Sequence, residues 1–152
     1  MPVKRITSIT DFRKFVDARI EAIQKAIIRN LAYLGEQCVN KARIDGNYTD
    51  RTGNLRGSIG FVVVANGRIV QLAGFSTSYG EGQSGGVKKG EALARRLAAG
   101  YTSGYALIVV AGMNYSACVE AMENKIVLTS AETYAKRRLP AIMRTLSKQI
   151  TA

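Results

Sequence analysis

Between Ser8 and Ala42, hydrophobic residues return every three or four positions: Phe12, Phe15, Val16, Ile20, Ile23, Ile27, Leu31, Leu34, Cys38 and Ala42. That spacing places them on one face of a single amphipathic helix over residues 8–44. Ser8 followed by Asp11 opens it like a capping box with a shorter acid, and Asp45-Gly46-Asn47 closes it. At ~1.5 Å per residue the helix is roughly 50 Å long, more than the width of a compact domain of this size. One end must project or lie across something extended. Core packing is the expected role of the stripe, with a partner helix covering whichever end overhangs.

The period then changes. "FVVVA", "NG" and "RIVQLAGF" set Asn66-Gly67 between two β-rich runs, which predicts a hairpin with a type I′ turn. A two-residue turn puts Phe61 opposite Leu72 and Val63 opposite Val70 on one side. It also sets Val64 opposite Ile69 and Val62 opposite Gln71. Both faces of this ribbon are partly apolar, so both need cover, from the chain's own helices or from a second subunit. "YALIVVAG" (105–112) is hydrophobic at odd and even positions and reads as a central strand, with "NKIVLT" (124–129) as a shorter fourth. "YSACVEAM" (115–122) suits a helical turn or two. Thr129-x-x-Glu132 is a capping box for a final helix that Pro140 should kink or restart. Ile142, Met143, Leu146 and Ile150 carry its apolar face.

The order predicts an α+β fold. A long N-terminal helix, a mainly antiparallel sheet of about four strands and a closing C-terminal helix make one domain over 1–152. Within it, 76–104 reads as a flexible glycine-rich loop with a short basic helix.

Composition narrows the function. Of the 152 residues, 47% are hydrophobic and 22% charged, a balance that disfavours disorder. "YALIVVA" is far short of the ~18 apolar residues of a membrane span. "MPVKRITSITDF" does not resemble a signal peptide, so a soluble protein made inside the cell, with no membrane partner, is expected. Histidine is absent, which removes the usual proton shuttle and the commonest metal ligand. Cys38 and Cys118 stand alone in apolar patterns and read as buried free thiols. Neither metal nor cofactor is expected. Ser58 and Ser103 lack a G-x-S-x-G setting, and Glu120 with Glu123 reads as a solvated edge. No catalytic residue and no enzyme activity are expected.

"YGEGQSGG" raises one further chemistry, because Gly80, Gly82 and Gly85 spell G-x-G-x-x-G. The dinucleotide fingerprint requires a parallel βαβ unit with the glycines tightly joining strand to helix. Here the preceding strand is half of a hairpin, followed by about a dozen loop positions where the fingerprint needs a tight turn. No nucleotide site is expected. "VKKGEALARRLAAG" instead presents Lys88, Lys89, Arg95 and Arg96 beside Leu93 and Leu97, a segment suited to ordering when a partner docks.

Two stretches carry a resemblance. "DRTGNLRGSIGF" (50–61) is similar to the T-G-x-L-x-x-S-I approach to the first strand in small tail-completion, or head–tail joining, proteins of long-tailed phages and prophages. That family is typified by gene product ten of a lambdoid coliphage. "ALIVVAGMNYSACVEA" (106–121) resembles its second hallmark, a hydrophobic strand leading into a Tyr-small-x-x-Val-Glu turn. The resemblance implies a non-enzymatic virion component at the neck, made in the host bacterial cytoplasm. It implies a ring of about six copies joining the connector or head-completion protein to the tail terminator or tube. Tail terminator and head-closure protein are neighbouring roles.

Arg51, Thr52, Gly53, Leu55 and Arg56, with Lys88, Lys89, Arg95 and Arg96, are the candidate interface residues. Ser58, Tyr115 and Glu120 are candidates for shaping the fold. Twenty-two Lys and Arg against eleven acids give a net charge of +11. That charge suits acidic protein rings or nonspecific contact with genomic DNA in the channel. It also supports the alternative, a basic nucleic-acid-binding protein, with "VKKGEALARR" and "AKRR" (135–138) as its basic runs.

Overall fold

A computed structural model of the chain describes residues 8–48, 50, 52–78, 85–113 and 127–151. The elements run α1 (Ile9–Asp45), α2 (Asn54–Gly57), β1 (Ile59–Ala65), β2 (Arg68–Ala73), α3 (Gly85–Ala98), β3 (Tyr105–Ala111) and α4 (Thr129–Thr151). The three strands form one antiparallel sheet in the order β2-β1-β3. The fold is α+β, with a long N-terminal helix and a closing C-terminal one.

β1 is the centre of the molecule, and all seven of its residues are buried. Ile59, Phe61 and Val63 face α1 and α4, where Leu34, Cys38, Val39 and Ala131 meet them. Val62 and Val64 face the opposite way, against Ala94 and Ala98 of α3. The chain's own helices therefore cover both apolar faces. With ~1.5–3 kcal/mol for each large side chain fully buried, this one strand anchors both layers.

The helices approach it closely because small residues let them. Gly35 of α1 lies on the Phe61 ring, and a Cβ there would come within 2.5 Å of it. On the other face α3 buries Gly86, Gly90, Ala94 and Ala98, one residue every four. A Cβ on Gly90 would lie 2.5 Å from both the Ser58 carbonyl and the Phe75 ring. The 76–104 stretch, expected as a loop with a short basic helix, thus contains a fourteen-residue helix. Two of the glycines that suggested a loop are its contact surface.

Asn66 and Gly67 have φ of 51° and 82°, the left-handed values a type I′ turn requires. Ala65↔Arg68 and Val64↔Ile69 pair as the turn dictates. Beyond them the expected register fails: a bulge leaves Val70 unmatched, and the pairs become Val63↔Gln71, Val62↔Leu72 and Phe61↔Ala73. The slip moves Leu72 to the α3 face, among Val62 and Val64. Small Ala73 now stands beside Phe61, where α1 leaves little room.

The expected fourth strand also gives way. Residues 124–126 lie outside the described residues, Val127 and Leu128 form a bend, and Thr129 already begins α4. A short apolar run cannot distinguish a strand from a buried lead-in to a helix. Here Val127 plugs the core at 1% exposure, and the Leu128 carbonyl accepts the first helical bond from the Glu132 amide at 2.9 Å. The 115–122 segment and Cys118 lie outside the described residues. α4 does not restart at Pro140, which sits exposed in the interior of a continuous element. Water can serve the carbonyl left without a proline N–H.

Gly35→Ala makes the packing constraint measurable. Helix propensity alone favours alanine by about 1 kcal/mol, yet the Phe61 ring occupies the new methyl's place. The variant should lower stability in urea denaturation by about 1–3 kcal/mol, the cost of overpacking. Gly85→Ala, whose methyl would find nothing closer than 3.9 Å, should be near neutral.

Candidate functional site

The 50–58 stretch folds into a short device that locks onto the molecule itself. The Thr52 hydroxyl accepts from the Asn54 amide at 3.3 Å, and Gly53 takes a left-handed φ of 71°. The Asp50 carboxylate caps the turn, accepting from the Arg56 amide at 2.8 Å and the Leu55 amide at 3.4 Å. Leu55 drops into the core at 2% exposure, so it has no surface to offer a partner. Arg56 stacks on the Tyr48 ring, 4.6 Å from its centroid, and donates to the Gly46 carbonyl at 2.9 Å. Ser58 is fully buried; its hydroxyl donates to the Leu55 carbonyl at 2.8 Å and accepts from the Gly112 amide at 3.1 Å. Of the described interface candidates here, only Thr52 is exposed. Arg51, Tyr115 and Glu120 lie outside the described residues.

Sequence reading missed the residue that ties this device to the body. Arg43, in the last turn of α1, donates to the carbonyls of Arg56 (3.2 Å), Ile59 (3.0 Å) and Gly74. One planar guanidinium thereby joins α1 to α2, β1 and the end of β2. An arginine near a helix C-terminus usually signals dipole pairing, and nothing in its spacing reveals three distant carbonyls.

Lys88, Lys89, Arg95 and Arg96 are all exposed on α3, opposite the small-residue face that packs on the sheet. Glu91 is the helix's one acid. The described ion pairs are all local: Lys25–Glu21, Lys41–Asp45 and Lys136–Glu132, each one helical turn apart. Positive surface is accordingly left over on α3 and on α4, where Arg137, Arg138, Arg144 and Lys148 join no described ion pair.

A third feature is apolar. α4 runs antiparallel to α1: the Tyr134 hydroxyl donates to Gln37 at 2.7 Å near one end, and Arg19 donates to the Ile150 carbonyl at 3.4 Å at the other. Between them and the Tyr105–Leu107 end of β3 lies a groove of about 640 Å³. Leu31, Leu34, Leu107, Ile142, Leu146 and Ile150 are among the side chains forming its walls. Two polar wall residues turn their donors to their own helices, Asn30 to the Ala26 carbonyl and Thr151 to the Ser147 carbonyl. Met143, at 61% exposure, stands on the rim. The face expected on α4 therefore does line up, but it frames a groove and only partly closes on α1.

Past the end of α4, α1 continues alone. Ile9, Phe12 and Phe15 are more than half exposed, Phe15 reaching 69%. The apolar stripe expected on one long helix thus splits. Its second half, from Ala32 to Ala42, is core, and its first two turns are exposed.

Among the described residues no three Cys, Asp or Glu side chains converge on a metal site, and no helix is long and apolar enough to cross a membrane. Comparisons with protein-family models, curated proteins and solved structures found no match to this chain.

Two predictions test the internal locks. Arg43→Met should cost about 1–3 kcal/mol in urea unfolding by stranding carbonyls, with Arg43→Lys recovering only part. Burial raises the Cys38 thiol above its ordinary pKa, keeping it protonated at neutral pH. Peptide mapping after iodoacetamide treatment should find Cys38 unmodified in the native protein and modified once it unfolds.

Proposed function

We propose that this chain is a structural component of a phage or prophage particle, a tail-completion or head–tail joining protein acting as a ring at the neck. The observation that carries the reading is the long α1, whose aromatic stripe outruns the rest of the fold beside an unfilled apolar groove. Large unmatched apolar surfaces mark contact sites with other proteins. The motif resemblance supplies the class, and the order of long helix, sheet and closing helix agrees with it. In this reading the "TGNLRGSI" stretch shapes the fold, since its Leu55 and Ser58 are buried and its Arg56 is spent on its own loop. Lys88, Lys89, Arg95 and Arg96 then face acidic neighbours above or below the ring, or DNA in the channel. Tail terminator and head-closure ring remain the neighbouring roles within the class.

A second reading, a basic nucleic-acid-binding protein, draws on the same four exposed side chains of α3. Filter binding separates the two. Weak attachment to DNA of any sequence fits the neck component, whereas tight affinity for duplex or single strand, falling steeply with salt, fits the rival.

The neck reading predicts that mass spectrometry of purified particles finds the chain at a few copies per virion. Particles that assemble complete and infectious without it overturn the reading. If ionic contacts dominate its docking, ~0.5 M salt should release it from its neighbours, because exposed pairs are screened.

A further inference from the structure

We infer that the outer face of α3 is a sequence-independent contact for the phosphate backbone of duplex DNA. This deepens the neck reading by choosing between the two partners it leaves open for α3, and rests on it only for where the DNA is met, in the channel.

The helix period sets the face. α3 buries Gly86, Gly90, Ala94 and Ala98 against the sheet. At about 100° per residue, the direction opposite that row belongs to Lys88, Lys89, Ala92, Arg95, Arg96 and Ala99. All six are exposed, and the Ala99 amide still donates to the Arg95 carbonyl at 3.2 Å. Ala92 and Ala99 run down the middle, with Lys88 and Arg95 along one side and Lys89 and Arg96 along the other. None of the four cations joins an ion pair among the described residues. The helix's one acid, Glu91, is partly buried and lies about 100° from the Ala92 midline. Glu81 precedes the helix, outside the described residues.

The make-up of this face separates the possible partners. A protein partner is gripped at a buried centre by aromatic and other large anchors, where lysine is depleted. Here the centre is two methyl groups, and Leu93 and Leu97 lie about 100° or more to the side. Single-stranded nucleic acid is held by stacking on aromatic rings, and this face carries none. A duplex backbone needs neither. Each row of cations spans seven residues, ~10 Å, a length over which duplex DNA carries about six charges. On α4 the four cations from Arg137 to Lys148 that join no described ion pair are spread over ~16 Å. Contacts to phosphates position a protein without reading sequence.

The test is fluorescence anisotropy of short labelled duplexes titrated with the full chain. The unsubstituted protein should bind duplexes of unrelated sequence equally, with a Kd on the order of 10–100 µM at ~0.1 M salt. Lys88→Gln/Lys89→Gln/Arg95→Gln/Arg96→Gln should bind at least about tenfold more weakly, with a log–log salt slope flatter by about 3. The matched control is Arg137→Gln/Arg138→Gln/Arg144→Gln/Lys148→Gln. It removes the same charge from the layer on the other side of the sheet, beyond the ~10 Å Debye length, and should stay within about threefold. All eight side chains are exposed, so circular dichroism and urea unfolding should show an intact fold in both variants.

A chain that leaves the duplexes unbound overturns the inference, and so does a control that loses as much as the α3 variant. Tighter binding to the single strand overturns it too. Displacement of the duplex by poly-glutamate at equal charge also overturns it, in favour of an acidic protein. A chain present in virions whose α3 ignores DNA sinks this inference alone, whereas one that binds DNA through α3 but is absent from virions sinks only the neck reading.

Discussion

The tight seating of β1 between two helical layers is the constraint on which the rest depends. A strand buried on both faces has no solvent side, so helices must cover it above and below. Both do so through small residues: Gly35 under Phe61 on one face, and on the other Ala94 and Ala98 against Val62 and Val64, with Gly90 against the Phe75 ring. The hairpin answers to the same limit. Its bulge sends Leu72 away from the α1 face and leaves Ala73 beside Phe61. Arg43 then secures the arrangement at the edge, holding the carbonyls of Arg56 and Ile59 where helix and sheet converge.

Seating half of α1 so firmly has a consequence at its other end. A compact chain of this length has a radius of gyration of about 15 Å, while thirty-seven helical residues extend about 55 Å. The core holds the second half, α4 accompanies the middle, and the first turns run on alone. The apolar stripe does not stop where the cover stops. Fold and candidate site are thus parts of one element, with one stretch of a single stripe used for packing and another left for contact.

The charge distribution follows a comparable division. The acids are few, and three of them are spent on lysines one turn away in their own helices. Further cations stand on the outer faces of α3 and α4, and Arg13, Lys14 and Arg29 are exposed along α1. Buried polar groups, by contrast, serve the fold: Ser58 bridges α2 to the strand that ends at Ala111, and Asp50 caps the turn that places Leu55. The residues that look most distinctive as a motif are those most occupied internally.

Periodicity alone determined that this chain has a long capped helix from Ser8, an Asn66-Gly67 hairpin, a strand at 105–111 and a helix from Thr129, because those signals are local. It also determined which faces are apolar, since the 3.6 and 2.0 repeats are properties of single elements. Only tertiary structure decided the bulge at Val70, the use of Val127 and Leu128 as the approach to a helix where a strand was expected, and the use of glycines in α3 as a packing surface. Each depends on how closely a distant element comes, which no local pattern encodes. The same holds for the groove and for Arg43. The stripes on α1 and α4 were visible separately, but a cavity is a relation between surfaces. An arginine's carbonyl partners come into being only when three elements meet.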